Sequence, residues 1–401
     1  MLLILTAAAV FNVIVDPYRV YNIVEKTGFN ARKPRALERG YLSKLASIAG
    51  LRPERVILGN SRAQIGLDPE SRQWGDRLTT YNAALPGTGP DVILSMMRAA
   101  IAAGRLRQAV VGLDFLDFLV AADSGTSDAT SPLPIDKDSR SSSDGAPTLD
   151  AKTLLSLSVS LDALLDSAYT IATQRIDTNP DLTRLGFTPM RDYSAMAKAQ
   201  GYGVLFRQRD QENAAAYLRK SKQLFHGNGR TGPQWRRLAE IKRLCERLER
   251  GCIFLIYPYH AHILELFTLT GLSSAFEQWK RDLVRRLEPA GGSDPGSKVV
   301  FWDFSGYHPY ACEHVPAMGD LHGTMKWYWE AGHFKRELGD RVIARIKGAG
   351  DPDFGIRLDA STLESSLLGL RQGQARYRRE NPADFATLEA LVARHRGVSA
   401  M

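Results

Sequence analysis

Arg55-Val56-Ile57-Leu58-Gly59-Asn60-Ser61-Arg62-Ala63 decides how the rest of the chain is read. Val56, Ile57 and Leu58 form an unbroken apolar run, the mark of a short strand buried in a parallel sheet. Gly59 ends the run and supplies the backbone freedom that a sharp strand-to-loop turn needs. Ser61 then falls just past the carboxyl end of the strand, where open α/β sheets bind their ligands. Backbone N–H groups at the start of a following helix surround such a serine and can hold an oxyanion. On these residues alone, a turn and a helix cap is the commoner use of Asn60 and Ser61.

Outward from that stretch, strands and helices alternate. Residues 78–81 read as a short strand, and Pro86-Gly87-Thr88-Gly89-Pro90 as a rigid loop. Asp91 suits a helix cap, and 92–103 has helical apolar spacing. Three further apolar runs, at 109–113, 252–256 and 299–302, read as core strands. Helices are expected over 154–173, 213–225, 234–250 and 276–287, with 178–203 irregular. The order predicts an α/β fold with a doubly wound, mostly parallel sheet flanked by helices. The segment 122–150 is rich in Ser, Asp, Gly and Pro and reads as a mobile insertion. The expected organisation is an apolar segment over 1–21, one α/β domain over 22–348 and a helical tail over 349–401.

The chain has 401 residues, 44% of them hydrophobic, and a net charge of +8. Its basic residues are scattered, which argues against a nucleic-acid patch. Three cysteines show no Cys-x-x-Cys spacing, so a zinc signature is missing and at least one thiol has no partner within the chain. Residues 2–15 are apolar except for Thr6 and Asn12. That is short of the about 20 residues that span a bilayer, and fits a signal core or a membrane anchor. No Lys or Arg precedes the run, as expected if the natural start lies upstream. The alternative is a buried amino-terminal helix. Neither a Gly-x-Gly-x-x-Gly after a strand nor a Walker pattern occurs, and no cofactor is expected. His260, His262, His308, His314 and His322 lack metal-ligand spacing, and no metal is expected.

Gly59-Asn60-Ser61-Arg62 resembles the first block of SGNH (GDSL-type) hydrolases, whose nucleophilic serine follows a strand in a Gly-Asp/Asn-Ser pattern. Gly66-Leu67-Asp68-Pro69 and Tyr81-Asn82-Ala83-Ala84-Leu85-Pro86-Gly87 are similar to stretches of bacterial SGNH-like cell-envelope proteins. Those include relatives of the alginate-type polysaccharide O-acetyltransferase machinery. Asp16-Pro17-Tyr18 resembles their post-anchor segment. Trp329-Glu330-Ala331-Gly332-His333-Phe334 resembles the family's last block, usually Asp-x-x-His. The resemblance implies an SGNH/flavodoxin-like fold, and a serine esterase or O-acyltransferase acting on cell-envelope or extracellular carbohydrate. It also implies an exported or membrane-anchored location on the periplasmic side. The alternative is a non-catalytic protein of the same fold that binds polysaccharide or an envelope assembly partner.

Acyl transfer at a serine needs a nucleophile, a base and donors for the tetrahedral oxyanion. Ser61 is the candidate nucleophile and His333 the candidate base. Glu330 is placed to orient the imidazole, with Glu standing where the family usually has Asp. The other reading of Glu330 and His333 is a surface loop whose histidine packs on aromatics. The resemblance assigns the oxyanion and substrate-binding group to Gly87, with Gly89 as the other glycine, and to Asn60. The third block, normally Gly-x-Asn-Asp, reads Gly112-Leu113-Asp114-Phe115, so its Asn is missing. Asn82 or a protonated Asp114 are the substitutes, since an ionised carboxylate has no proton to donate. Asp114 equally suits a cap at the strand end.

Overall fold

The computed structural model describes residues 2–121, 145–219, 222–226, 231–288 and 297–399. Residues 122–144, most of the expected insertion, lie outside the described residues. Along the chain, α1 (Leu2–Val15) and α2 (Gly40–Leu51) precede β1 (Arg55–Leu58), α3 (Ser61–Gly66), β2 (Thr80–Asn82), α4 (Pro90–Ala102) and β3 (Gln108–Leu113). Next come β4 (Val120–Ala121), α5 (Ala151–Val159), α6 (Leu161–Ala172), α7 (Arg191–Gln200), α8 (Tyr202–Leu218), β5 (Lys222–Gln223), α9 (Pro233–Arg247) and β6 (Cys252–Ile256). The remainder is α10 (Ala261–Leu269), α11 (Ser273–Leu287), β7 (Val299–Asp303), β8 (Tyr328–Glu330), β9 (His333–Phe334), α12 (Arg336–Ile346), β10 (Ile356–Arg357), α13 (Leu363–Glu380) and α14 (Pro382–Ser399).

The apolar runs become a six-stranded sheet in the order β10-β7-β6-β3-β1-β2. Every pairing is parallel except that of β10 with β7. The molecule is therefore mixed α/β, with a mostly parallel sheet flanked by helices. From β1 the chain steps outward to β2, then returns past β1 to β3. Right-handed crossovers in opposite directions place α3 and α4 on opposite faces of the sheet. On the α4 face, α4 packs along α9. Phe118, beyond β3, touches Trp235 of α9 at 4.7 Å and Trp279 of α11 at 5.6 Å. On the other face α12 packs against α3. The reversal between β1 and β3 opens a crevice at the carboxyl ends of the strands. Ser61 follows β1 into that crevice and Asp114 follows β3.

Several elements differ from the sequence expectation. Residues 154–173 are two helices rather than one. Ser160 ends α5 and caps α6, its hydroxyl accepting from the Ala163 N–H at 3.0 Å. The stretch 178–203 holds α7, whose Ala, Met, Lys and Gln residues are good helix formers despite the punctuation at Gly186 and Pro189. Cys245 of α9 and Cys252 of β6 form a disulfide, which leaves Cys312 as the free thiol. Beyond residue 348, β10 adds an antiparallel edge to the sheet, α13 packs on α11, and α14 packs on α8 and α10.

Candidate active site

The site begins with a hairpin. β8 and β9 pair antiparallel with Glu330 opposite His333, and Ala331-Gly332 turns the chain between them. Directly opposed residues of such a pair project from the same face. Three residues of sequence separation thus place the carboxylate beside the imidazole. Glu330 Oε1 hydrogen-bonds His333 Nδ1. His333 Nε2 lies 2.8 Å from Ser61 Oγ, across 272 residues of chain. The structure thus brings the candidate nucleophile, base and orienting acid together in one line of hydrogen bonds.

Glu330 is fully buried and has three partners. Besides His333, its Oε2 accepts from the Gly332 N–H at 2.9 Å and from Arg209 Nε at 2.8 Å. Burial pushes a carboxyl up, but the facing His333, the Arg209 guanidinium and the Gly332 N–H outweigh it and hold Glu330 below its ordinary value. Arg209 projects from α8 and also binds Glu212 at 2.7 Å. Sequence reasoning missed it. It sits 121 residues before Glu330 inside a helix with no motif, so no local signal marks it.

Ser61 opens α3, and close packing of glycines sets its place. At Gly59, with φ +149°, a Cβ would lie 2.2 Å from the Tyr257 hydroxyl; at Gly112 one would lie 2.1 Å from it. Tyr257 therefore threads between the ends of β1 and β3, and the Asn60 N–H donates to its hydroxyl at 3.3 Å. At the far end of α3, a Cβ on Gly66 would meet the Phe334 ring at 1.9 Å, and one on Gly339 would meet the Gly66 carbonyl at 1.7 Å. Phe334 is the residue after His333. The glycine contacts bring the hairpin and α12 down onto α3, so that imidazole and hydroxyl meet.

The expected oxyanion group divides. Asn60 caps α3: its Oδ1 accepts from the Arg62 N–H at 3.0 Å, and its Nδ2 donates to Asp114 Oδ2 at 2.8 Å. Asp114 acts as the cap at the strand end. It accepts from the Leu116 N–H at 3.2 Å and the Tyr259 hydroxyl at 3.1 Å, besides Asn60 and the Arg62 guanidinium. Both of its oxygens accept from donors, which corrects the expectation that Asp114 donates to an oxyanion. Asn82 is corrected as well. Its amide donates to the carbonyls of Ala63 and Leu67, each at 2.8 Å, and so closes the end of α3 instead of facing an oxyanion. Gly87 lies in the exposed turn after β2, with φ +66° and open space at its Cβ position. The loop leading to it is tied to the serine turn by the Leu85 N–H, which donates to the Gly59 carbonyl at 3.0 Å. Gly89 caps α4, and a Cβ there would come 3.3 Å from Asp117. Burial and the neighbouring Asp114 push the Asp117 carboxyl well up.

No protein-family model matches this chain, and no curated protein matches it. The chemistry of the site therefore rests on its own geometry. Among the described residues, no group of three or more His, Cys, Asp and Glu is arranged to hold a metal. His262 instead pairs with Asp210 at 2.8 Å, and His260 bonds the Glu313 carbonyl at 2.9 Å, both in the interior. A hydroxyl on a histidine nitrogen, with a carboxylate on the other nitrogen, is equipped for nucleophilic attack and proton return.

Proposed function

We propose that this chain is an SGNH-like serine esterase or O-acyltransferase whose acyl acceptor or donor is a cell-envelope or extracellular carbohydrate. The observation that carries the chemistry is the continuous bonding of Ser61, His333 and Glu330 at the switch point of the sheet. In this reading Ser61 Oγ attacks the ester carbonyl and its proton passes to His333 Nε2. The Ser61 N–H and the glycine loop at Gly87 receive the oxyanion. His333 returns the proton to the departing alkoxide, leaving an acyl-Ser61. Water or a sugar hydroxyl then gives its proton to His333 and attacks the acyl carbon, and His333 passes that proton to Ser61 Oγ as the acyl–serine bond breaks. Glu330 holds the imidazole ring and counters its transient charge.

The carbohydrate substrate comes from the SGNH resemblance of the motif blocks. The exported location is supported by the Cys245–Cys252 disulfide, a bond that persists in oxidising compartments. It is supported also by the charge-free α1, which we read as the membrane attachment. No single helix among the described residues is long and apolar enough to cross a membrane. One observation favours the non-catalytic alternative: the third-block Asn is replaced by Asp114, a saturated acceptor. Turnover of p-nitrophenyl acetate separates the two readings. Wild type should hydrolyse it and Ser61→Ala should not, with the fold unchanged. Equal turnover in both proteins would remove Ser61 as nucleophile.

A further inference from the structure

We infer that the outward faces of α1, α5 and α6 form one lipid-contacting surface, which seats the molecule against a bilayer. The inference extends the reading of α1 as the membrane attachment. α1 carries no charged residue, and Leu3 is 86% exposed. A helix that is apolar all round has no face to give to water. Its inner half does not hang free. Asn12 Nδ2 donates to the Ser158 carbonyl of α5 at 2.9 Å, and Ser167 Oγ of α6 donates to Asn12 Oδ1 at 3.0 Å. This buried asparagine fixes α1 on the α5–α6 pair.

That pair bends by 64° and carries apolar stripes on its outer side. Leu155 is 64% exposed on α5, and Val159 follows it one turn later. On α6, Leu161 is 69% and Leu165 61% exposed, and one turn further on the Arg35 guanidinium lies over the Tyr169 ring, which marks the polar limit of the stripe. A spacing of four keeps each set on one side of its helix. Single exposed apolar residues are ordinary, but these stand on the two helices that pack directly against the apolar α1. Together the α5–α6 pair has the length and apolar composition of a bent membrane-crossing segment, and α1 beside it is an apolar helix without charge, so lipid is the occupant that suits all three. α5 and α6 also expose Lys152, Ser156 and Asp162, so they suit the interface rather than the hydrocarbon centre. Helices of that kind lie about 5–10 Å into the boundary of headgroups and acyl chains.

The test uses the full chain with Cys312→Ser and a single new cysteine, at Leu5 on α1 or at Leu165 on α6, carrying an environment-sensitive nitrobenzoxadiazole dye. Phosphatidylcholine–phosphatidylglycerol vesicles should brighten and blue-shift both labels. A response at Leu5 alone would leave the α1 attachment standing and overturn the larger surface. A response at neither site would overturn both. In parallel, the double variant Leu161→Gln, Leu165→Gln, which adds no charge for the anionic lipid to attract, should lose about a hundredfold or more in vesicle affinity, as expected for removing two buried leucines. Its p-nitrophenyl acetate turnover in solution should match wild type. Unchanged vesicle affinity in that variant would overturn the inference.

Discussion

At the scale of single residues, the site depends on how Glu330 is held. A buried carboxylate needs partners, and this one has a histidine, an arginine and a backbone N–H. Glu330→Gln keeps the shape and removes the charge. In serine triads, loss of the orienting acid costs up to about 10⁴-fold. We expect Glu330→Gln to fall sharply yet retain measurable turnover, and His333→Ala to fall to background. Stability should follow the same charge. The folded Glu330 carboxyl sits below its unfolded value, which is about 4.3. Its contribution is complete above that unfolded value and disappears as pH falls through the folded one. The urea midpoint of wild type should thus exceed that of Glu330→Gln most clearly at neutral pH. The gap should close as the medium is made acid; a gap that widens there would contradict the arrangement. Ser61, His333 and Glu330 were legible because short motifs carry them. Arg209 was not, since only the fold brings α8 beneath the hairpin. The duty of Asn82 was hidden as well, because the Ala63 and Leu67 carbonyls that it meets come from another segment, whereas the strand-end cap at Asp114 was one of the two uses its position suits.

At the scale of elements, the decisive contact is that of α3 with β9 and α12. Gly66 leaves room for Phe334, and Gly339 leaves room for the Gly66 carbonyl. Gly66→Ala should push Phe334 and the adjoining His333 away from Ser61. Overpacking of this kind costs about 1–3 kcal/mol, and turnover should fall with it. Phe334→Leu in the same chain should restore part of both. If Gly66→Ala kept wild-type turnover and urea midpoint, the packing would not set the distance between histidine and serine. The four apolar runs that became β1, β3, β6 and β7 were readable because parallel strands are apolar on both faces. The two-residue β10 was not, having no periodicity to read. The break at Ser160 escaped notice because the apolar pattern continues across it, and only the capping bond shows where α6 begins.

At the scale of the whole molecule, the sheet presents Ser61 at the carboxyl end of β1, beside the point where strand order reverses, and a disulfide joins β6 to its covering helix α9. Alkylation of the denatured, unreduced protein should modify one thiol per chain, at Cys312, and three after reduction. Three modified thiols before reduction would refute the disulfide and the support it lends to export. The central claim is that Ser61 is a nucleophile activated by His333. Reaction with a fluorophosphonate, followed by peptide mass mapping, tests it most directly. The account predicts a single phosphonyl adduct on Ser61 in wild type, and none in Ser61→Ala or His333→Ala. A wild-type protein that stays unmodified, or an adduct on any other residue, would contradict it.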